Sequence, residues 1–299
     1  MRIGATPSHT ALSRPGHLPP FQGAQLELFG DRGMFEQAEA LLAEHHDAGR
    51  DAGEFRELGN LSVYSKGGPL GESGSRRHGR ALRFLHREPP RRREFTNLAW
   101  LRRQGFEAAE PLLSAFARRG SRLIAQLLVT ARVERAGGLR TLLEDGRRDP
   151  LREPVLARLA TTVGALHARG FLHGDLYPRN LLYSGGIGAG GTGGGLRIVL
   201  LDAWRGGPHK KPNVLAHAAR DLGCFFLHGA EWLDTLEQAS FYESYLSAVH
   251  SGGCQVDSDK LRRAIEAGRA REQLRFADDP RRHRDLPETQ TDWQLPSSP

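Results

Sequence analysis

The run Leu166-His167-Ala168-Arg169-Gly170-Phe171-Leu172-His173-Gly174-Asp175-Leu176-Tyr177-Pro178-Arg179-Asn180-Leu181-Leu182 constrains this chain more than any other stretch. Apolar residues upstream of it, Val155, Leu156, Leu159, Val163 and Leu166, recur at helical spacing, and Gly170 stops them. Beyond Gly170 the chain makes a polar turn with His173, Asp175 and Asn180, then a short apolar strand from Leu181 to Tyr183. About twenty residues on, a second apolar run from Ile198 to Leu201 ends in Asp202. Phosphoryl transfer asks little covalent work of a protein. It needs a carboxylate to orient the attacking hydroxyl and hard oxygen ligands for magnesium. Asp175, Asn180 and Asp202 supply those groups. His173 reads as a brace that holds the turn by hydrogen bonding rather than as a proton carrier.

Composition sets the outer limits. The 299 residues are 38% hydrophobic and 26% charged, which excludes a disordered polymer or a coiled coil and suits one large domain or two small ones. Apolar runs such as Leu123 to Val129 fall short of the roughly 18 residues that a membrane-spanning helix needs. Met1 to Pro20 lacks the apolar core of a secretory signal, and two cysteines, Cys224 and Cys254, offer neither a disulfide framework nor a zinc spacing. A cytoplasmic protein is expected. The formal net charge is +7, and residues 76–104 concentrate it, with ten arginines against Glu88 and Glu94. Such a block suits an anionic surface or a solvated helix face. Lysine is scarce: Lys66, Lys210, Lys211 and Lys260 stand among 42 basic residues, so Lys66 is alone in the first 200 positions. A compact ammonium there does a different job from a guanidinium fork.

Residues 1–30 lack periodicity and read as a flexible leader. A short helix is expected over Met34 to Ala43, a strand over Leu61 to Lys66 closed by the Gly67 to Ser75 stretch, a helix over Arg92 to Arg103 ending at Gly105, and a strand over Ser121 to Val133. Gly137-Gly138 reads as a hinge into a mainly helical half. Residues 185–195, with eight glycines in eleven positions, read as an elongated hairpin loop. Helices are expected over Ala216 to Leu227, Phe241 to Val249 and Asp259 to Leu274, and residues 276–299 read as a flexible tail.

The pattern H-x-D-L-x-x-x-N, apolar residues, then Asp, is the catalytic-loop and metal-loop arrangement of the protein-kinase-like fold. The stretch R-R-R-E-F-T-N-L-A-W-L-R-R-Q-G-F-E-A-A-E-P-L-L (residues 91–113), Lys66, the basic connector, the H-G-D-L-Y-P-R-N-L-L run and the L-L-D segment together resemble the lipopolysaccharide kinase (Kdo/WaaP) family, in that family's order over about residues 58–250. The resemblance implies an α+β, two-lobed protein-kinase-like fold, with a small, mainly β N-lobe over residues 31–132 and a larger α-helical C-lobe over 133–275. It implies ATP and Mg2+ as cofactors and a sugar or lipid-linked glycan as acceptor, phosphorylated at the cytoplasmic face of the membrane. Under it Lys66 holds the α- and β-phosphates, Glu94 pairs with Lys66, Asp175 is the catalytic base, and Asn180 and Asp202 bind magnesium. Asp221, in A-A-R-D-L, buttresses the catalytic loop from a later helix. The Arg-rich segment 76–104 then suits a peripheral contact with anionic membrane, and nucleic acid is not an expected partner.

The chain also departs from that pattern. No G-x-G-x-x-G precedes Lys66, where only Gly49, Gly53 and Gly59 are available. The metal loop reads Asp202-Ala203-Trp204 without the usual following glycine. Gly174 replaces the Arg of H-R-D, which leaves no partner for an activation-loop phosphate. H-G-D-L also occurs in aminoglycoside-type phosphotransferases and atypical protein kinases, which stand as alternatives. A pseudokinase that binds an anionic partner through its basic block is the alternative of another class.

Overall fold

Two units make up the chain in the computed structural model, which describes residues 10–49, 52–70, 88–185, 195–277 and 295. One draws on the chain up to Gly105 together with Ala109–Val133, and the other on Phe106–Ala108 and the chain from Glu134 onward.

The first unit is a six-stranded antiparallel sheet in the order β1-β2-β5-β6-β4-β3. Its strands are β1 (Thr10–Pro15), β2 (Gln25–Gly30), β3 (Ala52–Leu58), β4 (Leu61–Pro69), β5 (Pro111–Arg119) and β6 (Arg122–Ala131). The leader expected over residues 1–30 is corrected here, because residues 10–30 supply two of these strands. Leu26 and Leu28 alternate with Gln25 and Glu27, and the two leucines and Phe21 are fully buried. The alternation is only a few residues long and comes after a Pro- and Gly-rich stretch, so it is weak as a pattern. Burying each such side chain nonetheless stabilises by about 1.5–3 kcal/mol. Helix α1 (Phe35–Asp47) packs on one face of the sheet, its Leu41 and Leu42 in one core with Leu26, Leu28, Leu127 and Val129. Helix α2 (Pro90–Arg103) packs on β5 and β6, and Gln126 accepts a hydrogen bond from the Arg91 N–H. Strand alternation puts Leu127 and Gln126 on opposite faces.

The expected end of the Lys66 strand at Gly67 is also corrected: β4 continues to Pro69, paired with β6. Of the arginines in segment 76–104, those before residue 88 lie outside the described residues. In α2, Arg91 pairs with Glu94, and the Arg92 guanidinium stacks 3.6 Å from the Phe29 ring centroid.

The second unit is mainly helical: α3 (Leu139–Asp145), α4 (Arg152–Ala168), α5 (Val214–Trp232), α6 (Thr235–Ser251) and α7 (Ser258–Ala277). Helix α4 packs against α6 and α5 against α7. The α5–α7 approach requires glycine, since a Cβ on Gly223 would lie 2.6 Å from the Gly268 carbonyl carbon. Gly137-Gly138, expected as a hinge, belongs instead to strand β7 (Ala136–Gly138), which pairs with β9 (Leu181–Ser184). Strand β9 also pairs with β10 (Arg197–Leu200), so the two short runs form a hairpin, and residues 186–194 of its connection lie outside the described residues. A two-residue strand β8 (Phe171–Leu172) pairs with β11 (Gly207–Pro208). At the expected tail, α7 runs to Ala277, and Leu295 is buried, with its carbonyl accepting from Arg262 and its N–H donating to Glu266. Among the described residues no helix is long and apolar enough to cross a membrane.

Candidate active site

In the helical unit, α4 ends at Ala168, Gly170 turns the chain into β8, and residues 173–180 run between β8 and β9. A 3-10 turn over Pro178–Asn180 brings the Asn180 side chain back onto Asp175: Nδ2 donates to the Asp175 carbonyl at 2.8 Å and to its carboxylate Oδ2 at 3.2 Å. Asp175 and Asn180 are both buried. The Leu201 N–H donates to the Asn180 carbonyl at 3.0 Å, so the hairpin delivers Asp202 beside Asn180. Asp202 has φ 57°, a left-handed backbone that a non-glycine residue holds only where its surroundings over-determine it. Two guanidiniums attend the Asp175 carboxylate, Arg205 Nε at 3.4 Å from Oδ1 and Arg179 NH2 at 4.0 Å from Oδ2. Each is stacked on an aromatic ring, Arg205 on Trp204 and Arg179 on Tyr177.

The loop is held from below by Asp221 on α5, which is fully buried. Its Oδ2 accepts from the His173 N–H at 2.8 Å and its Oδ1 from the Gly174 N–H at 2.7 Å. His167 places Nε2 3.1 Å from Oδ2 and Nδ1 2.8 Å from the Tyr245 hydroxyl. Burial alone would raise the Asp221 pKa; the hydrogen bond and charge of His167, with His173 and its N–H, outweigh that and hold it below the usual carboxylate value. His173 donates from Nε2 to the Leu201 carbonyl at 2.9 Å and accepts the Asp175 N–H at Nδ1 at 3.4 Å. Both ring nitrogens are thus engaged in bracing. Gly174 fits because its φ is +80° and a Cβ there would meet Arg205 and the Gly206 nitrogen at 2.9 Å. No side chain in place of Gly174, arginine included, is accommodated at that position without displacing the neighbouring backbone.

In the sheet unit, Lys66 on β4 faces α2, opposite to Ser65, which bonds His45 of α1 at 3.0 Å. Its Nζ lies 2.6 Å from Glu94 Oε1, and Arg91 takes the other carboxylate oxygen at 3.0 Å. The strand before Lys66 is the edge strand β3, joined to β4 by Gly59-Asn60, with Gly59 at φ 60°. Gly53 lies under the Tyr64 ring, and Gly49 ends α1. The three available glycines therefore serve a ring contact, a turn and a helix end.

Residues 72–218 match the model of the lipopolysaccharide kinase (Kdo/WaaP) family. Over that stretch the chain is similar to this family, and it is a kinase. The match takes in Glu94, His173, Asp175, Asn180 and Asp202, while Lys66 and Asp221 lie just outside it. Among solved structures, WaaP in complex with acyl carrier protein is similar at 16% identity and a TM-score of 0.52, over 84% of this chain and 98% of that one. The fold is thus protein-kinase-like. A glucosamine kinase is similar at 14% identity and a TM-score of 0.46, over 92% of this chain and 89% of its own. The Rio2 kinase from Chaetomium thermophilum, in an ADP/Mg2+-phosphoaspartate complex, is similar at 17% identity and a TM-score of 0.43, over 89% and 72%. No curated protein sequence matches the chain.

Sequence reasoning about this kinase missed Arg91, His167, Arg205, Arg220 and Glu272, all of which touch the residues above or their loop. Arg91 sits three residues before Glu94 on one helical face, a signal that was present. The others act across 20 residues or more, and nothing in local spacing marks them.

Proposed function

We propose that this kinase transfers the γ-phosphate of ATP to a hydroxyl of a lipopolysaccharide-core or similar sugar, free or lipid-linked. The observation that carries the reading is the Asp175 carboxylate, held by Asn180 within a loop whose backbone is pinned by Asp221, inside the segment that matches the family. In this reading Asp175 orients the acceptor hydroxyl and takes its proton as the bond to phosphorus forms. Arg179 and Arg205 hold the Asp175 carboxylate in place from its two oxygens. Lys66, oriented by Glu94, offers a single ammonium to the nucleotide phosphates.

The donor set fits magnesium. Asn180 spends its Nδ2 on Asp175, which leaves its amide oxygen as an acceptor, and Asp202, next after the Leu201 whose N–H bonds the Asn180 carbonyl, adds a carboxylate. Magnesium in such sites takes one or two protein oxygens and completes its shell with substrate phosphates and water. Bound there, the ion neutralises charge developing on the phosphates. In the same reading the net positive charge of the Arg-rich segment 76–104 draws the kinase to anionic lipid headgroups at the cytoplasmic membrane surface, where a lipid-linked acceptor is met.

A transfer screen with MgATP against lipid-linked core sugars, free acidic sugars, an aminoglycoside and a protein acceptor tests the proposal. Phosphate on the core sugar supports it; transfer confined to the aminoglycoside or the protein replaces the acceptor class.

A further inference from the structure

Helix α7 lies beyond the matched residues 72–218, yet it reaches the Asp175 loop. The close α5–α7 packing through Gly223 and Gly268 brings its buried Glu272 to that loop. Three groups converge on this carboxylate. The Tyr177 hydroxyl donates to Oε2 at 2.7 Å, Arg275 NH1 donates to Oε2 at 2.9 Å, and Arg220 NH1 donates to Oε1. Arg220 in turn donates Nε and NH2 to the Gly174 carbonyl at 3.2 and 3.0 Å. Two hydrogen-bond chains therefore run from one carboxylate to the two sides of Asp175. One enters through Tyr177, two residues after it, and the other through Arg220 to the residue before it. Neighbours on α5 grip Gly174 with opposite polarity, Asp221 taking its N–H and Arg220 filling its carbonyl.

The chemistry explains why a carboxylate stands at Glu272. Burial first, with Cys224 and Glu272 beside it, pushes the Tyr177 phenol well above its ordinary pKa, so it stays a donor and needs an acceptor. The adjacent Cys224 thiol is pushed by burial up to about 12 and stays neutral. An anion is required between Arg220 and Arg275, and Glu272 supplies it.

We propose that Glu272 is a positioning residue for this kinase, fixing the Asp175 loop through Tyr177 and Arg220. This rests on the reading of Asp175 as the group that orients the acceptor.

The test compares Glu272→Ala, Glu272→Gln and Tyr177→Phe in the full chain. Three quantities are read: hydrogen exchange of the amides at 173–177, calorimetric MgATP affinity, and MgATP turnover with water as acceptor. For Glu272→Ala, amide exchange about 10-fold or more faster and turnover down about 10-fold or more are expected, with MgATP affinity within about 3-fold of wild type. Glu272→Gln, which keeps an acceptor and loses the charge, should fall between Glu272→Ala and wild type. If Glu272→Ala does not fold, the other two variants carry the comparison. Unchanged exchange overturns the proposal, as does faster exchange with wild-type turnover, or affinity and turnover falling together. Exchange reads the brace regardless of what Asp175 does. If Asp175→Asn turns over MgATP like wild type while exchange responds to Glu272, the catalytic reading has failed and the brace has not.

Discussion

Glu94 receives Lys66 at 2.6 Å on one carboxylate oxygen and Arg91 at 3.0 Å on the other, and its side chain is 1% exposed. A buried acid flanked by two cations is a structural element as well as a candidate for the nucleotide site. Removing it takes an ion-pair partner from two cations at once. Glu94→Ala should therefore cost about 3 kcal/mol of stability in urea unfolding, within the range for breaking one side of a buried pair. A loss below about 1 kcal/mol would show that Lys66 and Arg91 reach solvent without it.

Gly174 is a position where the Asp175 loop tolerates little. Its φ of +80° and the 2.9 Å approach of Arg205 and Gly206 to an added Cβ leave Gly174→Ala strained on two counts. The expected outcome is a stability loss of about 1–3 kcal/mol and turnover down about 10-fold or more, because Asp175 is the next residue. Wild-type melting temperature together with wild-type turnover would refute this.

The histidine cluster under the loop gives the fold a pH dependence. His217 is buried, with His209 and His167 rings 4.9 and 5.7 Å from its own and Asp221 adding an opposing attraction. Burial first, then those two histidines, lower its pKa to about 4 from 6.5. Between those values the unfolded chain binds the proton and the native chain does not, so stability falls as pH drops from about 6.5 towards 4. Below that, Asp221, whose pKa is held under 3.8, adds its own loss as it protonates. Urea unfolding at pH 7 and pH 5 should show a loss on the order of 2 kcal/mol that His217→Gln reduces. The same slope in variant and wild type would assign the pH dependence elsewhere.

The Asp175 loop was legible as a unit because its residues are local in sequence: His173, Asp175 and Asn180 lie within one turn, and Asp202 follows β10, which pairs with β9. The Lys66 strand and the Glu94 helix were legible from periodicity, although their 2.6 Å contact joins residues 28 positions apart and came from the family resemblance. Strands β1 and β2 were not legible, because Leu26 and Leu28 are too short a pattern between Pro- and Gly-rich flanks to separate from coil. The gripping of Gly174 by Arg220, and of Tyr177 by Glu272, depends on how closely α5 and α7 pack. That closeness is set by Gly223 and Gly268, and isolated glycines in helical patterns read as weak points rather than contacts.

The most direct test of the central claim is phosphate transfer by Asp175→Asn at saturating MgATP, measured beside its calorimetric MgATP affinity. In the proposed mechanism the base acts on the acceptor hydroxyl and not on the nucleotide, so turnover should fall about 100-fold or more while affinity stays within about 3-fold of wild type. Turnover in Asp175→Asn within about 3-fold of wild type would contradict the assignment of Asp175 and with it the proposed chemistry of the site.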